Sequence, residues 1–303
     1  MNKVNQEINF WKARDLGDIS NATFAFVKEH FRELFTVVLY TAGPFLLLQA
    51  VINVWFQSNL VMPTAEEQME NPLAVFSMFS DFRFYLAIIV GFIGSFVLYA
   101  TMYSFVLMIR DGETPTPETV WARIREDAGI YVTSYLAIFA IYLLSVPLLF
   151  IPCLGWAAWF VGAIYLAMLL LIYLPARLHE ALGAFEGISR AHELNKGHVV
   201  DSFLLLLVLV VLSIMLALVF MVPYMIVSFT LGMNSIIDPM EAKPVWAIIV
   251  ENLFSILASL VSIVPVTAGV LQYGNLVERS ESVGLESRID SWEDGELGDN
   301  SGI

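Results

Sequence analysis

FLLLLVLVVLSIMLALVFMVPYMIVSFTL, Phe203 to Leu231, runs for 29 residues without an Asp, Glu, Lys, Arg or His. A hydrocarbon core about 30 Å thick is crossed by about 20 helical residues at 1.5 Å each. Lipid offers no water to the backbone, so each N–H and C=O in such a run must be satisfied within it, as a helix. Five more runs have the same character: Leu34–Phe56, Phe84–Ile109, Ile130–Ile151, Leu154–Leu174 and Leu253–Tyr273. A β-barrel would show short alternating segments instead. The composition agrees, with 58% hydrophobic and 15% charged residues, where a soluble domain carries about 25% charge. The expected fold is all-α and membrane-integral, with six transmembrane helices.

Basic residues set the expected orientation. Thirteen of the 15 Lys and Arg lie in the N-terminal segment, the second-to-third and fourth-to-fifth connections and the C-terminal tail. Only Arg83 and Lys243 lie on the other side. Lys and Arg stay cytoplasmic, so both termini are expected inside. Trp55, Tyr85, Trp156, Trp159, Trp246 and Tyr273 stand near run ends, as an interfacial aromatic belt does. The first run follows a charged amphipathic stretch rather than forming the short apolar core of a signal peptide, so that span is expected to be retained. The lone Cys153 lies in the tight turn between the third and fourth runs and has no cysteine to pair with. Of the 29 acids, eight fall in Glu278–Ile303 beside two arginines. That tail, 278–303, is too poor in apolar residues to offset its ordering entropy and reads as disordered. No dense basic patch exists, which excludes nucleic acid as a partner.

Residues 1–277 form the expected membrane domain, in three pseudo-repeats of a surface helix followed by two spans, about 15–110, 111–176 and 177–277. Leu16, Ile19, Thr23, Phe26, Val27 and Leu34 recur at helical spacing before the first span. Leu178, Ala181, Leu182, Phe185 and Ile188 do so before the fifth. Thr116–Gly129 is the weaker middle case, opened by Thr116 and Pro117 in the manner of a capped helix. Their opposite faces are charged, as on helices lying in a membrane surface. Pro44, Pro147 and Pro223 interrupt the first span of each unit.

The polar stretch HEALGAFEGISRAHELNKGHVVDSF, His179–Phe203, holds three of the four histidines. Neighbours on a helix point about 100° apart, so His179-Glu180 and His192-Glu193 do not converge within one helix, and no HExxH is present. His192 and His198 share no helical face. No catalytic residue, metal ligand or cofactor site is assigned, and a wet surface helix ended by Gly197, with Lys196 in its last turn, is the expectation.

The segment PARLHEALGAFEGISRAHELNKGHVVDSF resembles one in multi-span bacterial proteins grouped with the membrane domain attached to some glycerophosphoryl diester phosphodiesterases. Gly183, Glu186, Ile188, Arg190, Leu194, Lys196 and Gly197 fit that pattern. Gly187, Ala191 and His192 depart from it, where Ala, Ser and Trp are usual. The catalytic domain is absent, so the resemblance implies a membrane module without that activity, in a bacterial inner membrane.

Glu251 is the one ionisable residue that could lie within a span. If the helix enters the membrane at Trp246, Glu251 is buried by about 7 Å of rise; if it enters at Leu253, Glu251 is interfacial. Gln49, Asn53, Ser213, Ser255, Ser259, Ser262 and Thr267 are placed to bridge helices, and Gly91 and Gly94 to let them approach. In the tail, SWEDGELGDN reads first as a solvated acidic end that aids solubility; the sharper alternative makes Trp292 the apolar anchor of a docking peptide for a protein partner. The functional expectation is a non-enzymatic inner-membrane protein, a scaffold or accessory subunit of a membrane complex, with membrane lipids and a protein as partners. The alternative is a carrier for a lipid-like or apolar substrate, which a polar cavity inside the bundle would favour. Reporter fusions at Glu67 and Glu241 should read as periplasmic and those at Glu118 and Glu186 as cytoplasmic; one reversal overturns the orientation.

Overall fold

The computed structural model describes residues 10–60, 69–237 and 244–282, and among them regular structure is helical without a strand. Helix α1 (Leu16–Thr41) begins where the Asp15 carboxylate accepts the Asp18 N–H, at 2.7 Å. The expected surface helix and the start of the first span are one helix, because no Gly or Pro separates Asp18 from Leu34. The break comes later. Pro44 has no N–H for the carbonyl of Tyr40, the Phe45 N–H turns to the Ala42 carbonyl, and α2 (Gly43–Ser58) leaves at 59° to α1.

After a 3-10 segment at Pro72–Ser80 come α3 (Phe82–Arg110) and α4 (Pro117–Glu126). The latter starts as expected, with Thr116 Oγ1 accepting the Thr119 N–H and Pro117 in the first turn. Then follow α5 (Ala128–Ser145), a 3-10 turn at Val146–Phe150 that contains Pro147, and α6 (Leu154–Glu180). Cys153 closes the tight turn before α6 at φ +59° and is exposed. The chain ends in α7 (Ala184–Asn195), α8 (Val199–Ile237), α9 (Val245–Ser259), a 3-10 turn at Leu260–Ser262 and α10 (Ile263–Glu281).

Three apolar runs are therefore not single α-helices. The sixth breaks where the Ser259 and Ser262 hydroxyls donate to the carbonyls of Ile256 and Ser259, both at 2.6 Å, offering the backbone an alternative partner. Five helices of the described residues are long and apolar enough to cross a membrane, and six if the bent α1–α2 pair is one span. Val199–Thr230 has a mean hydropathy of 3.3, yet only 11% of its apolar window is buried. A helix apolar all round and uncovered by protein has lipid as its solvent, the constitution of a multi-pass membrane protein.

The periodic face from Leu178 to Ile188 does not belong to one helix. Ala181 has φ +51° and ends α6, and α7 starts three residues later with Gly183 donating its N–H to Glu186 Oε2 at 2.9 Å. Residues Glu278–Glu281, counted with the tail, continue α10. Trp292 lies outside the described residues.

Contacts group the chain into two units, neither coinciding with one sequence pseudo-repeat. The first comprises residues up to Arg32, Tyr103–Val211 and Ile263 onward. Helix α6 is central to it, packed on α5, α7 and α10. The apolar run of α6 ends at Leu174, but the helix continues and carries Arg177, 3% exposed. Its Nη1 donates to Ile130 O at 2.9 Å and to Ser134 Oγ, its Nη2 to Thr133 Oγ1 at 3.1 Å, and its Nε to Leu182 O at 3.1 Å. Neutral oxygens take every one of these bonds. Gly187 of α7 rests on the Arg177 stem, where a Cβ would meet Cγ, and Gly269 of α10 rests on the Leu171 carbonyl. The expected aromatic belt loses a member here, because Tyr273 is 1% exposed and buried by this packing.

The second unit comprises Glu33–Met102 and Leu212–Ser262. Its α2 packs on α9. Thr41 and Thr101 share a hydroxyl hydrogen bond at 3.1 Å, and Ser262 Oγ donates to Met102 Sδ at 3.2 Å. Gly91 and Gly94 of α3 admit the Gln49 side chain, and a Cβ on Gly94 would come 2.5 Å from Gln49 Oε1.

Gly187→Ala should lower stability by about 1–3 kcal/mol, the cost of overpacking against a stem that cannot retreat. Arg177→Lys should be destabilising too, since an ammonium cannot reproduce the forked contacts. Denaturation in mixed detergent micelles, followed by helical circular dichroism, measures both.

Candidate functional site

The second unit contains a cavity of about 500 Å³ bounded by α2, α8 and α9. Helix α2 presents Asn53 and Gln57, four residues apart and hence on one face. Gln49 is one turn earlier on the same stripe. From α9 come Glu251, Asn252, Phe254, Ser255 and Ala258, and from α8 come Phe220, Met221 and Tyr224, around the helix-interior Pro223. Gln57, Met221 and Ser255 are exposed, so the cavity is open on one side.

Glu251 is the buried acid of this site, at 7% exposure, and accepts a hydrogen bond from Ser228 Oγ at 2.7 Å. It lies inside α9, which starts at Val245. The Asn252 amide donates one of its two N–H groups to Ile248 O at 2.8 Å. Gln49 Oε1 is buried without a hydrogen-bond partner. An orphaned amide oxygen of this kind costs about 1–3 kcal/mol.

The histidine-rich stretch folds into the first unit. Glu180 accepts from the Tyr273 hydroxyl at 2.7 Å and from Arg190 Nε at 2.9 Å, while Arg190 Nη2 reaches Glu281 at 2.6 Å. Burial pulls the pKa of the Arg190 guanidinium down, but its hydrogen bonds to Glu180 and Glu281 outweigh that and raise it. The His179 ring stands 5.0 Å from that of Trp11 and 5.8 Å from that of Tyr273. His179 and Glu180 thus meet at Tyr273, a tertiary convergence that helix geometry alone does not give. His192 Nδ1 is 2.6 Å from the Tyr165 hydroxyl, and His198 lies 3.7 Å from Asp201. Among the described residues, no three His, Cys, Asp or Glu side chains gather as a metal ion would require.

The motif positions have structural duties. Gly183 and Glu186 cap α7, Arg190 ties it to α6 and α10, Leu194 is 3% exposed, and Gly197 turns the chain at φ +89°. Lys196 is exposed. A smaller cleft of about 250 Å³ in the same unit is lined by Arg14, Asp201, Gln272, Asn275 and Arg279. Burial holds the Arg14 guanidinium below its usual range, against the raising effect of Asp18. Its polar groups are cross-linked among themselves, Arg279 to Asp201 at 3.2 Å and to Arg14 O at 2.6 Å, which makes the cleft a joint between helices.

Sequence alone finds Glu251 but not what surrounds it. The signal for the α2 wall was present, since Gln49, Asn53 and Gln57 repeat every four residues in an otherwise apolar run. The α8 wall, Phe220, Met221 and Tyr224, has no mark in so uniformly apolar a helix. Comparison of the chain with protein families, curated proteins and solved structures gives no match.

Tyr273→Phe removes one hydroxyl from Glu180 and keeps the ring. It should cost about 0.5–1.5 kcal/mol in a detergent unfolding titration, and Arg190→Ala in that background should cost less than it does alone if the three groups act as one network.

Proposed function

We propose that this chain is a carrier that binds a lipid-like, amphipathic molecule in the cavity between α2, α8 and α9. The carrying observation is the cavity itself, whose volume of about 500 Å³ falls within the about 300–1,000 Å³ of small-molecule sites. Its walls mix amides, hydroxyls and one carboxyl with Phe220, Met221 and Phe254. The breaks at Ala42 and at Leu260–Ser262 add support. Discontinuous spans are a recurring way to build binding sites in transporters, because unwound backbone is tolerated where it lines protein or a cavity. The proposed setting is a bacterial inner membrane, with six spans in three pseudo-repeats and both termini cytoplasmic, as the basic residues favour. Catalysis is not part of the proposal.

The second reading, a non-enzymatic scaffold or accessory subunit, draws on the uncovered flank of α8, 11% buried over its apolar window. A partner helix would cover it as well as lipid does.

Ala258→Trp puts an indole into the cavity. The variant should fold and insert normally yet lose the small amphipath that the wild type carries through purification in mild detergent, read by mass spectrometry of the organic extract. Equal recovery from both proteins, or recovery of a stoichiometric protein and no small molecule, counts for the subunit reading.

A further inference from the structure

We infer that the cavity selects a molecule whose head carries more than one hydroxyl group and whose apolar body lies against Phe220, Met221 and Phe254. This rests on the reading of the cavity as a ligand site and adds the chemistry of its occupant's head.

The hydrogen-bonding groups that the fold leaves unused carry the inference. Asn53 and Gln57 of α2, Tyr224 of α8 and Ser255 of α9 line the cavity, and their side chains make no hydrogen bond to any described residue. Polar side chains in the same helices find an outlet in their own backbone. Asn252 donates to Ile248 O, Thr230 to Ile226 O and Ser259 to Ile256 O. Glu251 has partners within the protein, the Ser228 hydroxyl among them, and is not one of the unused groups.

Each unused group both donates and accepts. An amide has two N–H donors and an oxygen acceptor, and a hydroxyl has one donor and two lone pairs. Within a span such groups carry a cost until both roles are filled. An ionised carboxylate or sulfonate head only accepts, and would leave the amide oxygens of Asn53 and Gln57 unmet. An ammonium head only donates, and would leave their N–H groups unmet. A hydroxyl fills both roles. One hydroxyl brings a single donor, fewer than four groups on three helices call for, so the head is a diol, polyol or sugar rather than a simple alcohol. The rest of the lining gives the body. Phe220, Met221, Phe254 and Ala258 are apolar, and the open side past Gln57 and Ser255 gives a chain longer than the cavity a way out.

The test uses the full-length protein held in an amphipathic polymer, since the head of a glycosidic detergent would itself compete. Four probes share one chain: 1,2-octanediol, its dimethyl ether, octanoate and octylamine. A fifth, 1,2-propanediol, supplies the head without the chain. Isothermal titration gives affinities. A cysteine placed by Ala258→Cys, in a Cys153→Ser background, reports occupancy from its alkylation rate. Octanediol should bind about tenfold tighter than the ether, the acid or the amine, and propanediol at the same concentration should not protect the cysteine. Asn53→Leu and Tyr224→Phe should each weaken the diol by about three- to tenfold and the ether by less; the retained ether binding shows that the variants are folded. Equal binding of diol and ether would overturn the hydroxyl assignment and keep the cavity as a ligand site. Tighter binding of the acid or the amine would do the same, as would unchanged diol affinity in both variants. Protection by propanediol matching that by octanediol would replace the tailed molecule with a free polyol. Failure of every probe to protect would overturn both the head and the site.

Discussion

Inside a bilayer, a backbone carbonyl that loses its helical partner has no water to turn to, and this governs where the chain can break. Each interruption here has a local device. At Ala42 the chain bends through a 3-10 bond from Phe45. At Leu260–Ser262 serine hydroxyls take two of the carbonyls. After Ser145, a 3-10 turn opened by Pro147 receives the Trp156 and Trp159 indoles, which donate to Leu149 O and Ser145 Oγ. Breaks so managed allow helices to diverge without stranding polar groups in lipid. Two of the helices freed by breaks, α2 and α9, are the ones that carry the polar walls of the cavity.

The same accounting separates the buried polar groups into two kinds. Arg177 is fully engaged, its donors spread over two carbonyls and two hydroxyls of α5 and the α6–α7 turn. Removing it would strand several acceptors at once, and Gly187 shows how closely α7 is fitted to its stem. A satisfied group of this kind specifies structure. Gln49 and Glu251 stand apart for different reasons. Gln49 Oε1 is buried without a hydrogen bond, and Glu251, which accepts from the Ser228 hydroxyl, borders the cavity. An ionisable residue within a span is a functional candidate by default.

Much of this was legible in the residues. Long uncharged runs give helices long enough to cross a membrane, Thr116-Pro117 gives the start of α4, and Gly197 the end of the α7 turn. Glu251 stood out because it is an acid beside an apolar run. The misses have physical causes. Periodicity registers a face and not its continuity, so Leu178 to Ile188 read as one helix although Ala181 turns the chain left-handed. Amphipathic and apolar helix can also join without punctuation, as α1 does through Leu34. Convergence of His179, Glu180 and Tyr273 depends on α6 meeting α10 across about 90 residues of chain, which no local pattern encodes.

The account turns on the space between α2, α8 and α9 being a ligand site in the membrane. The most direct measurement is a cryo-electron microscopy map of the full-length protein in nanodiscs made with the host membrane's own lipids. It should contain non-protein density bounded by Asn53, Tyr224 and Glu251, extending toward Ser255 and the lipid. A map in which α2 and α9 close on each other and side chains fill that volume would contradict it.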